Sequence, residues 1–444
     1  MTAAQRHTVI FGLGITGYSC LRFLHGTDRL TVVDTRGAPP FAESARSDFP
    51  DVPMILGAPT AEHFADADRI VVSPGLRTSH CLLGSARERG VALISDIELF
   101  LEHASAPIVG ITGTNGKSTV TALTGELLTG AGLDVGVGGN LGEAALDLLA
   151  PDRDAYVLEL SSFQLERLNA GRFTVAANLN VTADHLDRYP DIASYAASKQ
   201  RIFDHCDVAI YNRADPLTVP RTVVGRSESV GLDAPSDNCW GIVESSGRKY
   251  LAVGGQRLIA VDELGIRGRH NEFNALAAMA LARAIGGDAA RWNETLRGFK
   301  GLAHRCQTVA VVDGVTYIND SKATNVGASL AALEGLGETR KNIVLIAGGD
   351  AKNADLSPLR EPVSKYVRHV VTLGKDAAAV EAAVADAAPF QRVRSLPDAV
   401  RLARSLARSG DLVLLAPACA SLDMFANFEA RGREFEACVR ELTK

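Results

Sequence analysis

The segment GITGTNGKST at residues 110–119 is a glycine-rich loop with an apolar run, PIVGI, before it and a helical pattern, TVTALTGELLTG, after it. A loop of this kind between a strand and a helix directs backbone N–H groups at phosphate oxygens. Lys117 is expected to pair with the outer phosphates of a nucleoside triphosphate, and Ser118 to ligate Mg²⁺. Because Ile111 stands where the strict phosphate-loop pattern has glycine, the later glycines would form the turn. The alternative is a glycine-rich turn with an incidental lysine.

The 444 residues divide into three blocks, each with alternating strand and helix patterns. Runs such as HTVIFGLG and LTVVDTR in the first block are typical of buried parallel strands. A phosphate loop does not normally restart inside one small sheet, so we place a boundary near residue 98. The second block adds antiparallel pieces (RKYLAVGGQRLIAV), and runs such as TVAVVDGVTYIND and NIVLIAGGD predict a parallel sheet in the third. The sequence therefore predicts an α/β protein of three domains: 1–97, 98–301 and 302–444.

A G-x-G-x-x-G motif follows the first predicted strand, with glycines at Gly12, Gly14 and Gly17, and Asp34 ends the next strand. This spacing fits a dinucleotide fingerprint, in which the turn binds a diphosphate and the acid reaches a ribose hydroxyl. A UDP group could use the same turn, and a tight turn with no ligand is the alternative. Nothing further along the chain indicates a hydride acceptor site, which argues against NAD.

Carboxylate, hydroxyl and imidazole side chains follow two further strands of the second block. They are Glu159, Ser161 and Ser162 in AYVLELSS, and Asp184, His185 and Asp187 in NVTADHLDRY. Because loops at the carboxyl ends of parallel strands gather in one crevice, these groups should face the phosphate loop. Oxygen ligands with one imidazole suit Mg²⁺ or Mn²⁺. The alternative is a surface histidine in an acidic loop.

Polar side chains also cluster in the third block and at its junction with the second. They are Asn271, Asn274, His304, Arg305, the segment DSKATN at 320–325, the segment GGDAK at 348–352, Ser421 and Phe428. Such groups bind carboxylates or phosphates, although each alone would be an ordinary polar loop residue. Arg305 could reach ATP phosphates across a cleft, supplying charge only when the domains close.

Charge and cysteine content exclude several classes of function. The net charge is -6 and no long basic run occurs, so nucleic acid is not an expected partner. The seven cysteines form no C-x-x-C pair, which argues against a disulfide framework or structural zinc and indicates a reducing compartment. The first predicted strand begins too early for a signal or membrane-spanning segment, so we expect a cytoplasmic protein. No coiled-coil pattern stands out, and we expect a monomer.

Taken together, these motifs resemble those of the Mur ligase family over essentially the whole chain. In order, the matching segments are GLGITG, VSPGL, GITGTNGKST, GGNLG, YVLELSSFQLE, NVTADHLDRY, SKQRIF, GRHNEFNALAA, GLAHRCQ, NDSKATN, GGDAKNAD and PACASLDMFANF. The resemblance implies an N-terminal Rossmann-like UDP-binding domain, a central P-loop-type ATPase domain with a parallel sheet, and a mobile C-terminal Rossmann-like domain. It implies ATP-dependent addition of D-glutamate to UDP-N-acetylmuramoyl-L-alanine in peptidoglycan precursor synthesis, through an acyl phosphate and a tetrahedral intermediate.

The resemblance also assigns roles to the residues of this chain that match the family's motifs. The UDP substrate is expected at Gly14, Ile15, Thr16, Asp34, Thr35, Arg36, Gly75, Asn140 and His185. ATP is expected at Gly113, Thr114, Asn115, Gly116, Lys117, Ser118, Thr119, Asn271, Asn274, Arg305 and Asp320. Glutamate is expected at Thr324, Lys352, Ser421 and Phe428, with His304 and Lys322 close by. Two Mg²⁺ ions are expected at Ser118, Glu159, His185 and Lys199, and the expected catalytic residues are Lys117, Glu159, His185, Lys199 and Arg305.

Lys199 is a position where the residues alone and the resemblance disagree. In YAASKQRIF it looks like a solvent-facing helical lysine. The resemblance instead implies that this lysine is carbamylated and becomes an anionic ligand of Mg²⁺. One departure from the family pattern is Ala416 in LLAPACAS, where a serine is expected, and it leaves fine substrate selectivity open.

Three other readings stay open. A sister amide ligase would use another acceptor, as folylpolyglutamate synthase and the ligases for L-alanine, diaminopimelate or L-glutamate do. Thr324, Lys352 and Ser421 favour a small dicarboxylate amine, but its chirality does not follow from the residues. A non-catalytic nucleotide-binding regulator is disfavoured by the intact Lys117 and Glu159, and a dehydrogenase by the phosphate loop.

Overall fold

The computed structural model describes residues 5–77, 79–185, 188–204, 206–222, 225–337 and 340–442, and these residues form three sheets flanked by helices. Each sheet is built from a separate stretch of the chain, in the order that the sequence predicts. The α/β fold with three domains is therefore confirmed, while the exact domain boundaries stay predictions.

The N-terminal sheet is parallel throughout, with the order β3-β2-β1-β4-β5. Its strands are β1 (His7–Phe11), β2 (Arg29–Asp34), β3 (Met54–Leu56), β4 (Arg69–Val72) and β5 (Ala92–Ile94). Its helices are α1 (Ile15–Leu24), α2 (Ala42–Asp48), α3 (Gly84–Glu88) and α4 (Asp96–His103). Strand order reverses between β1 and β4, and ligands of such sheets bind in the crevice at this switch point. The loops after β1 and β4 contain Gly14 and Gly75, both predicted UDP contacts.

The central sheet has the order β14-β13-β12-β11-β10-β9-β6-β8-β7. Its strands are β6 (Ile108–Thr112), β7 (Val135–Gly139), β8 (Ala155–Glu159), β9 (Phe173–Asn178), β10 (Cys206–Asn212), β11 (Arg226–Val230), β12 (Trp240–Ser245), β13 (Arg248–Val253) and β14 (Gln256–Ala260). Its helices are α5 (Lys117–Gly130), α6 (Ser162–Leu165), α7 (Ile192–Gln200), α8 (Arg269–Ala284) and α9 (Trp292–Gly298). Strands β6 to β12 pair in parallel, and β13 and β14 are antiparallel, as predicted.

The C-terminal sheet has the order β15-β16-β20-β17-β18-β19. Its strands are β15 (Gln307–Val312), β16 (Val315–Asn319), β17 (Ile343–Gly348), β18 (Val367–Leu373), β19 (Phe390–Arg392) and β20 (Leu412–Leu415). Its helices are α10 (Val326–Leu336), α11 (Arg360–Tyr366), α12 (Ala377–Val384), α13 (Leu396–Leu406) and α14 (Phe428–Glu441). Strands β16 to β20 pair in parallel, which places the ends of β16, β20 and β17 side by side.

The start of this sheet differs from the prediction of a parallel arrangement. TVAVVDGVTYIND is not one parallel strand but a hairpin, in which β15 pairs antiparallel with β16. Asp313 and Gly314 take positive φ values of 50° and 75° at its turn. Two residues with positive φ form the tight turn whose twist matches that of paired antiparallel strands.

The N-terminal and central domains share an apolar core. Leu99 and Phe100 of α4 are fully buried in the same cluster as Tyr156 of β8, and the rings of Phe100 and Tyr156 meet edge to face at 5.0 Å. The boundary predicted near residue 98 falls inside this helix. Shared burial of this kind favours a fixed relation between the two domains. Within the described ranges, no helix has the length and apolar character needed to cross a membrane.

Candidate active site

The phosphate loop lies between β6 and α5, and β6 is an interior strand of the central sheet. Gly116 takes a φ of 85°, and a Cβ there would lie 2.6 Å from Oδ1 of Asn274. Both facts require glycine at this position. Nζ of Lys117 folds back over the loop and donates to the carbonyls of Gly113 at 2.9 Å and Thr114 at 2.8 Å. These carbonyls hold the lysine at the helix N-terminus, where phosphate would bind.

Glu159 and Arg305 lie beside this loop. Oε1 of Glu159 accepts a hydrogen bond from Nδ2 of Asn140 at 2.7 Å, whereas buried Oε2 has no hydrogen-bond partner among the described residues. Although burial opposes ionisation, Lys117, Ser118 and Asn140 hold the pKa of Glu159 below its usual value. Nη2 of Arg305 donates to Oγ of Ser118 at 2.6 Å. The free carboxylate oxygen near a hydroxyl fits a cation that also binds phosphate oxygens.

Lys199 is buried, which corrects the expectation of a solvent-facing lysine. Only 1% of the residue is exposed, and Nζ donates to the carbonyl of Gly113 at 2.9 Å. Nζ also lies 4.6 Å from the ring centre of Tyr195. Burial, and then the charge of Lys117, lower the pKa of Lys199 well below its usual value. A buried lysine in this environment favours the neutral, nucleophilic amine.

His185 also packs near Tyr195 and takes a φ of 54°. Its ring is 4.9 Å from Phe163 and 6.3 Å from Tyr195, and its backbone N–H donates to Oδ1 of Asp184 at 2.9 Å. Ser161 caps α6 through Oγ and so has a structural role. Ser162 is buried in that helix, and Asp187 lies outside the described residues.

The possible metal ligands around the phosphate loop are too few to hold Mg²⁺ without further oxygen ligands from a substrate. In the part of the chain that the structure describes, no group of three or more His, Cys, Asp or Glu side chains could hold a metal alone. Glu159 and Ser118 would supply two oxygen ligands, and phosphate oxygens would supply others. Mg²⁺ commonly binds in this way, through one or two protein ligands and the phosphates of a nucleotide.

Seven of the eleven predicted nucleotide residues line one large cavity between the central and C-terminal domains, whereas Gly113, Thr114, Lys117 and Ser118 are not part of its lining. The cavity has a volume of about 1270 Å³, and its lining includes Asn115, Thr119, Asn271, Asn274, Arg305 and Asp320. Burial raises the pKa of Asp320 to about 6. The cavity is large enough for a nucleoside triphosphate, whose recognition requires such a mixed polar and apolar lining.

The predicted UDP site is organised around Asp34 at the end of β2. Its Oδ2 accepts from the backbone N–H of Leu13 at 2.7 Å, and Arg36 donates to both carboxylate oxygens. Burial opposes ionisation, but these hydrogen bonds hold the pKa of Asp34 below its usual value. Two of the three motif glycines are sterically required, since a Cβ on Gly17 would lie 1.9 Å from the carbonyl oxygen of Gly12, and Gly12 takes a φ of 103°, whereas a Cβ on Gly14 would meet nothing within 4 Å. Ile15 at the start of α1 is 55% exposed, although large and apolar.

Two arginines that sequence reasoning missed bind the loop around Gly75. Arg188 donates to the carbonyls of Pro74 at 3.2 Å and Leu76 at 3.4 Å, and buried Arg167 also donates to the Leu76 carbonyl. The guanidinium of Arg188 lies 4.0 Å from the ring centre of Phe163, the ring that contacts His185. Arg188 thus connects the predicted UDP loop to His185, a predicted catalytic residue. Its position three residues after His185 was the sequence signal for it.

Three of the predicted glutamate residues, His304, Lys322 and Phe428, lie together near the end of β16. Nζ of Lys322 lies 3.8 Å from the ring centre of Phe428, and the ring of His304 lies 6.4 Å from the same ring. Burial and the nearby Arg305 lower the pKa of Lys322 to about 8. Asp350 and Ala420 form an antiparallel bridge, which places the Lys352 loop beside Ser421.

Buried Arg431 of α14 ties this region together and was also missed from the sequence. It donates to Oγ and the carbonyl of Ser321, at 3.0 and 2.8 Å, and to the carbonyl of Cys419 at 3.2 Å. Lys322 and Thr324 follow the first of these residues closely, and Ser421 follows the second. Arg431 therefore fixes the backbone from which the predicted glutamate contacts project.

Comparison with protein families matches each third of the chain in turn. The N-terminal domain of Mur ligase MurD-like proteins matches residues 6–95, the Mur ligase middle domain matches 111–282, and the glutamate ligase domain of Mur ligases matches 304–419. The chain belongs to the Mur ligase family. The two unmatched junctions of this Mur ligase chain include α4 and the segment before Arg305.

Individual relatives extend over the full length of both chains. UDP-N-acetylmuramoylalanine--D-glutamate ligase of Pseudomonas putida is 49% identical, with 98% of this chain and 97% of the relative covered. The ligase of the same name from Pseudomonas aeruginosa is 48% identical, with 100% and 99% covered. Among solved structures, a pseudomurein peptide ligase type C from Methanothermus fervidus matches with a TM-score of 0.64 at 18% identity, covering 98% of this chain and all of that one. The last match shows that the Mur ligase fold is shared.

Proposed function

We propose that this chain joins the amine of D-glutamate to the alanine carboxylate of UDP-N-acetylmuramoyl-L-alanine while ATP becomes ADP and phosphate. Full-length similarity to relatives named for this activity supports the substrates. Within the structure, one arrangement carries the proposal. Lys117, Glu159 and Arg305 lie together at the phosphate loop, and Lys322 of the amino-acid site lines the same cavity as Arg305.

The chemistry requires activation, because a carboxylate is a poor electrophile at neutral pH. An oxygen of the alanine carboxylate attacks the γ-phosphorus of ATP, the bond to the β-phosphate oxygen breaks, and ADP leaves. The glutamate amine then attacks the acyl phosphate, and the tetrahedral intermediate expels phosphate as the nitrogen loses a proton. Lys117 and Arg305 stabilise the charge on the transferred phosphoryl group and on ADP, and the cavity between the domains positions the reactants.

We propose two Mg²⁺ ions at Ser118, Glu159, His185 and Lys199. When bound, Mg²⁺ neutralises negative charge on the ATP phosphates. The unpartnered Oε2 of Glu159 supports the first site. For the second, the neutral amine of buried Lys199 would attack CO₂ and lose one proton as the N–C bond forms and one C–O π bond opens, so that the neutral side chain becomes an anionic carbamate. Its burial beside Gly113 supports this conversion, because a buried ammonium is costly without a paired anion.

We also propose that the enzyme works as a cytoplasmic monomer. The seven cysteines form no C-x-x-C pair, and this pattern supports a reducing compartment. The predicted UDP, nucleotide and amino-acid residues all lie on one chain, so no second copy is needed to complete a site. Analytical ultracentrifugation should give the mass of a single chain.

Isotope transfer tests the proposed reaction. UDP-N-acetylmuramoyl-L-alanine with ¹⁸O in the alanine carboxylate should give inorganic phosphate that carries one ¹⁸O per turnover, together with the amide product by mass spectrometry. Lys117→Ala should abolish both signals with an unchanged circular dichroism spectrum. Product without ¹⁸O in phosphate would reject the acyl phosphate route. For Lys199, incubation with ¹³CO₂ should add a carbamate resonance that Lys199→Arg lacks.

A further inference from the structure

Asn325 joins the amino-acid half of the molecule to the nucleotide half through both ends of its amide. Its Oδ1 accepts a hydrogen bond from the backbone N–H of Ala328 at 2.8 Å and so caps α10. Its Nδ2 crosses to the central domain and donates to Oδ2 of Asp184 at 3.0 Å and to Oδ1 of Asn115 at 3.3 Å. Only 9% of the residue is exposed.

The two domains touch closely at this point. A Cβ on Gly327, in the first turn of α10, would lie 2.9 Å from Oγ1 of Thr182 and 3.3 Å from Nδ2 of Asn115. Glycine therefore lets α10 approach the central sheet at the distance that the Asn325 bonds need. The contact therefore combines one donor group, two acceptor atoms and a glycine that leaves space for them.

The position of each partner gives the contact its meaning. Asn115 belongs to the phosphate loop, and Asp184 binds the backbone N–H of His185 through its other carboxylate oxygen, at 2.9 Å. Asn325 directly follows Thr324, a predicted glutamate contact. We propose that Asn325 is a positioning residue, which sets the glutamate-binding segment against the phosphate loop and His185.

Asparagine is suited to this task because it serves two purposes at once. Serine, aspartate and asparagine cap helices about equally well, so the cap alone does not require an amide. Only asparagine among them also offers an N–H donor to the carboxylate of Asp184. Arg305 makes another contact across the domains, but its partner is Ser118, a predicted Mg²⁺ ligand. Asn325 instead binds two side chains of the central domain, those of Asp184 and Asn115, and neither contact uses a backbone N–H group of the phosphate loop.

Three variants separate the cap from the link between domains. Asn325→Ser keeps the cap and loses the donor, since the serine hydroxyl is too short to reach Asp184 while capping. Asn325→Asp keeps the cap and places a second carboxylate against Asp184. Asn325→Asp combined with Asp184→Asn restores one donor and one acceptor with their places exchanged. Because the cap is kept throughout, α10 should stay folded, and the circular dichroism spectra of the variants should match that of the parent.

Kinetics and solution scattering are the measurements. The kcat/KM for D-glutamate should fall about tenfold in Asn325→Ser and further in Asn325→Asp, as expected when a hydrogen bond to a charged group is lost or reversed. The KM for ATP should change little. With a non-hydrolysable ATP analogue and Mg²⁺, small-angle X-ray scattering should show a larger radius of gyration for Asn325→Asp, and the exchanged double variant should return it toward the parent value.

Two results would overturn the inference. One is a kcat/KM for D-glutamate within about twofold of the parent in both single variants. The other is a radius of gyration of the double variant as large as that of Asn325→Asp, since the exchanged donor and acceptor should again hold the two domains together. The kinetic measurement rests on the proposed function, whereas the scattering measurement needs only the nucleotide analogue and Mg²⁺. If D-glutamate is not the substrate, the parent enzyme will be inactive with it, and the scattering result will be unaffected.

Discussion

Arg188→Lys tests whether the UDP loop and His185 are held by one side chain. The change keeps the positive charge but removes the planar fork that reaches two carbonyls and one carboxylate. In the structure, Arg188 binds Pro74, Leu76 and Glu166 at 3.2, 3.4 and 3.0 Å, and it lies over Phe163 at 4.0 Å. Lysine could keep one of these partners.

The expected loss follows from those contacts. Hydrogen bonds involving a charged group contribute about 1.5–3 kcal/mol, and the two carbonyl bonds are long, so together they should contribute near the lower end. Loss of the cation–π contact adds about 0.5–1 kcal/mol. A total of about 2–3 kcal/mol corresponds to a decrease of roughly 30- to 150-fold in kcat/KM for the UDP precursor.

The assay is steady-state phosphate release with each of the three substrates varied in turn. We expect the decrease for the UDP precursor and little change in the KM for D-glutamate. Arg201→Lys is a matched control, because Arg201 binds the Leu165 carbonyl in the same domain at 2.9 Å but no residue of the Gly75 loop. Equal losses for both variants, or unchanged kinetics for Arg188→Lys, would refute the reasoning.

Three further predictions concern burial and charge. Burial raises the pKa of Asp96 to about 6, so folding takes up a proton, and the stability of the protein falls as the pH rises from about 4 to 6. Asp96→Asn should remove this pH dependence and add about 1–3 kcal/mol to the free energy of unfolding at pH 7.5, measured with denaturant. A less stable variant would contradict the burial argument. Burial and Arg305 lower the pKa of Lys322 to about 8, so the side chain loses its charge as the pH rises through that value. The kcat/KM for D-glutamate should therefore decline above about pH 8 in the parent enzyme and stay level in Lys322→Arg. An identical decline in both enzymes would exclude Lys322 as the cause. A lysine at position 431 cannot bind Ser321 and Cys419 together, so Arg431→Lys should raise the KM for D-glutamate about tenfold and leave the KM for ATP unchanged. Arg433→Lys is the control, because Arg433 lies on the same helix and is exposed. Equal effects of the two substitutions would contradict a positioning role for Arg431.

Much of the fold follows from local sequence patterns. Apolar runs such as HTVIF and IVGIT are buried parallel strands, and the glycines of the phosphate loop take the positive φ values that their motif requires. The hairpin of β15 and β16 was predictable but missed. Asp313-Gly314 between two alternating runs is a strong hairpin signal, which outweighs the apolar character that favours a parallel strand.

Less of the candidate site than of the fold could be predicted, because several of its residues depend on contacts between parts of the chain that are far apart in sequence. Lys199 looks like a surface residue in its helix, and its burial follows only from packing against the loop after β6. Arg188 and Arg431 bind backbone carbonyls far away in sequence, and a carbonyl acceptor leaves no residue-type signal at the partner position. Motifs therefore predicted residues that would touch ligands, whereas the residues that position them became visible only in the structure.

The most direct test of the proposed function is ATP-dependent phosphate release with UDP-N-acetylmuramoyl-L-alanine, comparing D-glutamate with L-glutamate in the same preparation. We predict release with the D isomer, one phosphate per amide formed, and none above background with the L isomer. Preference for the L isomer would contradict the proposed acceptor while leaving the fold and the phosphate loop in place. Release with neither isomer would contradict the proposed reaction itself.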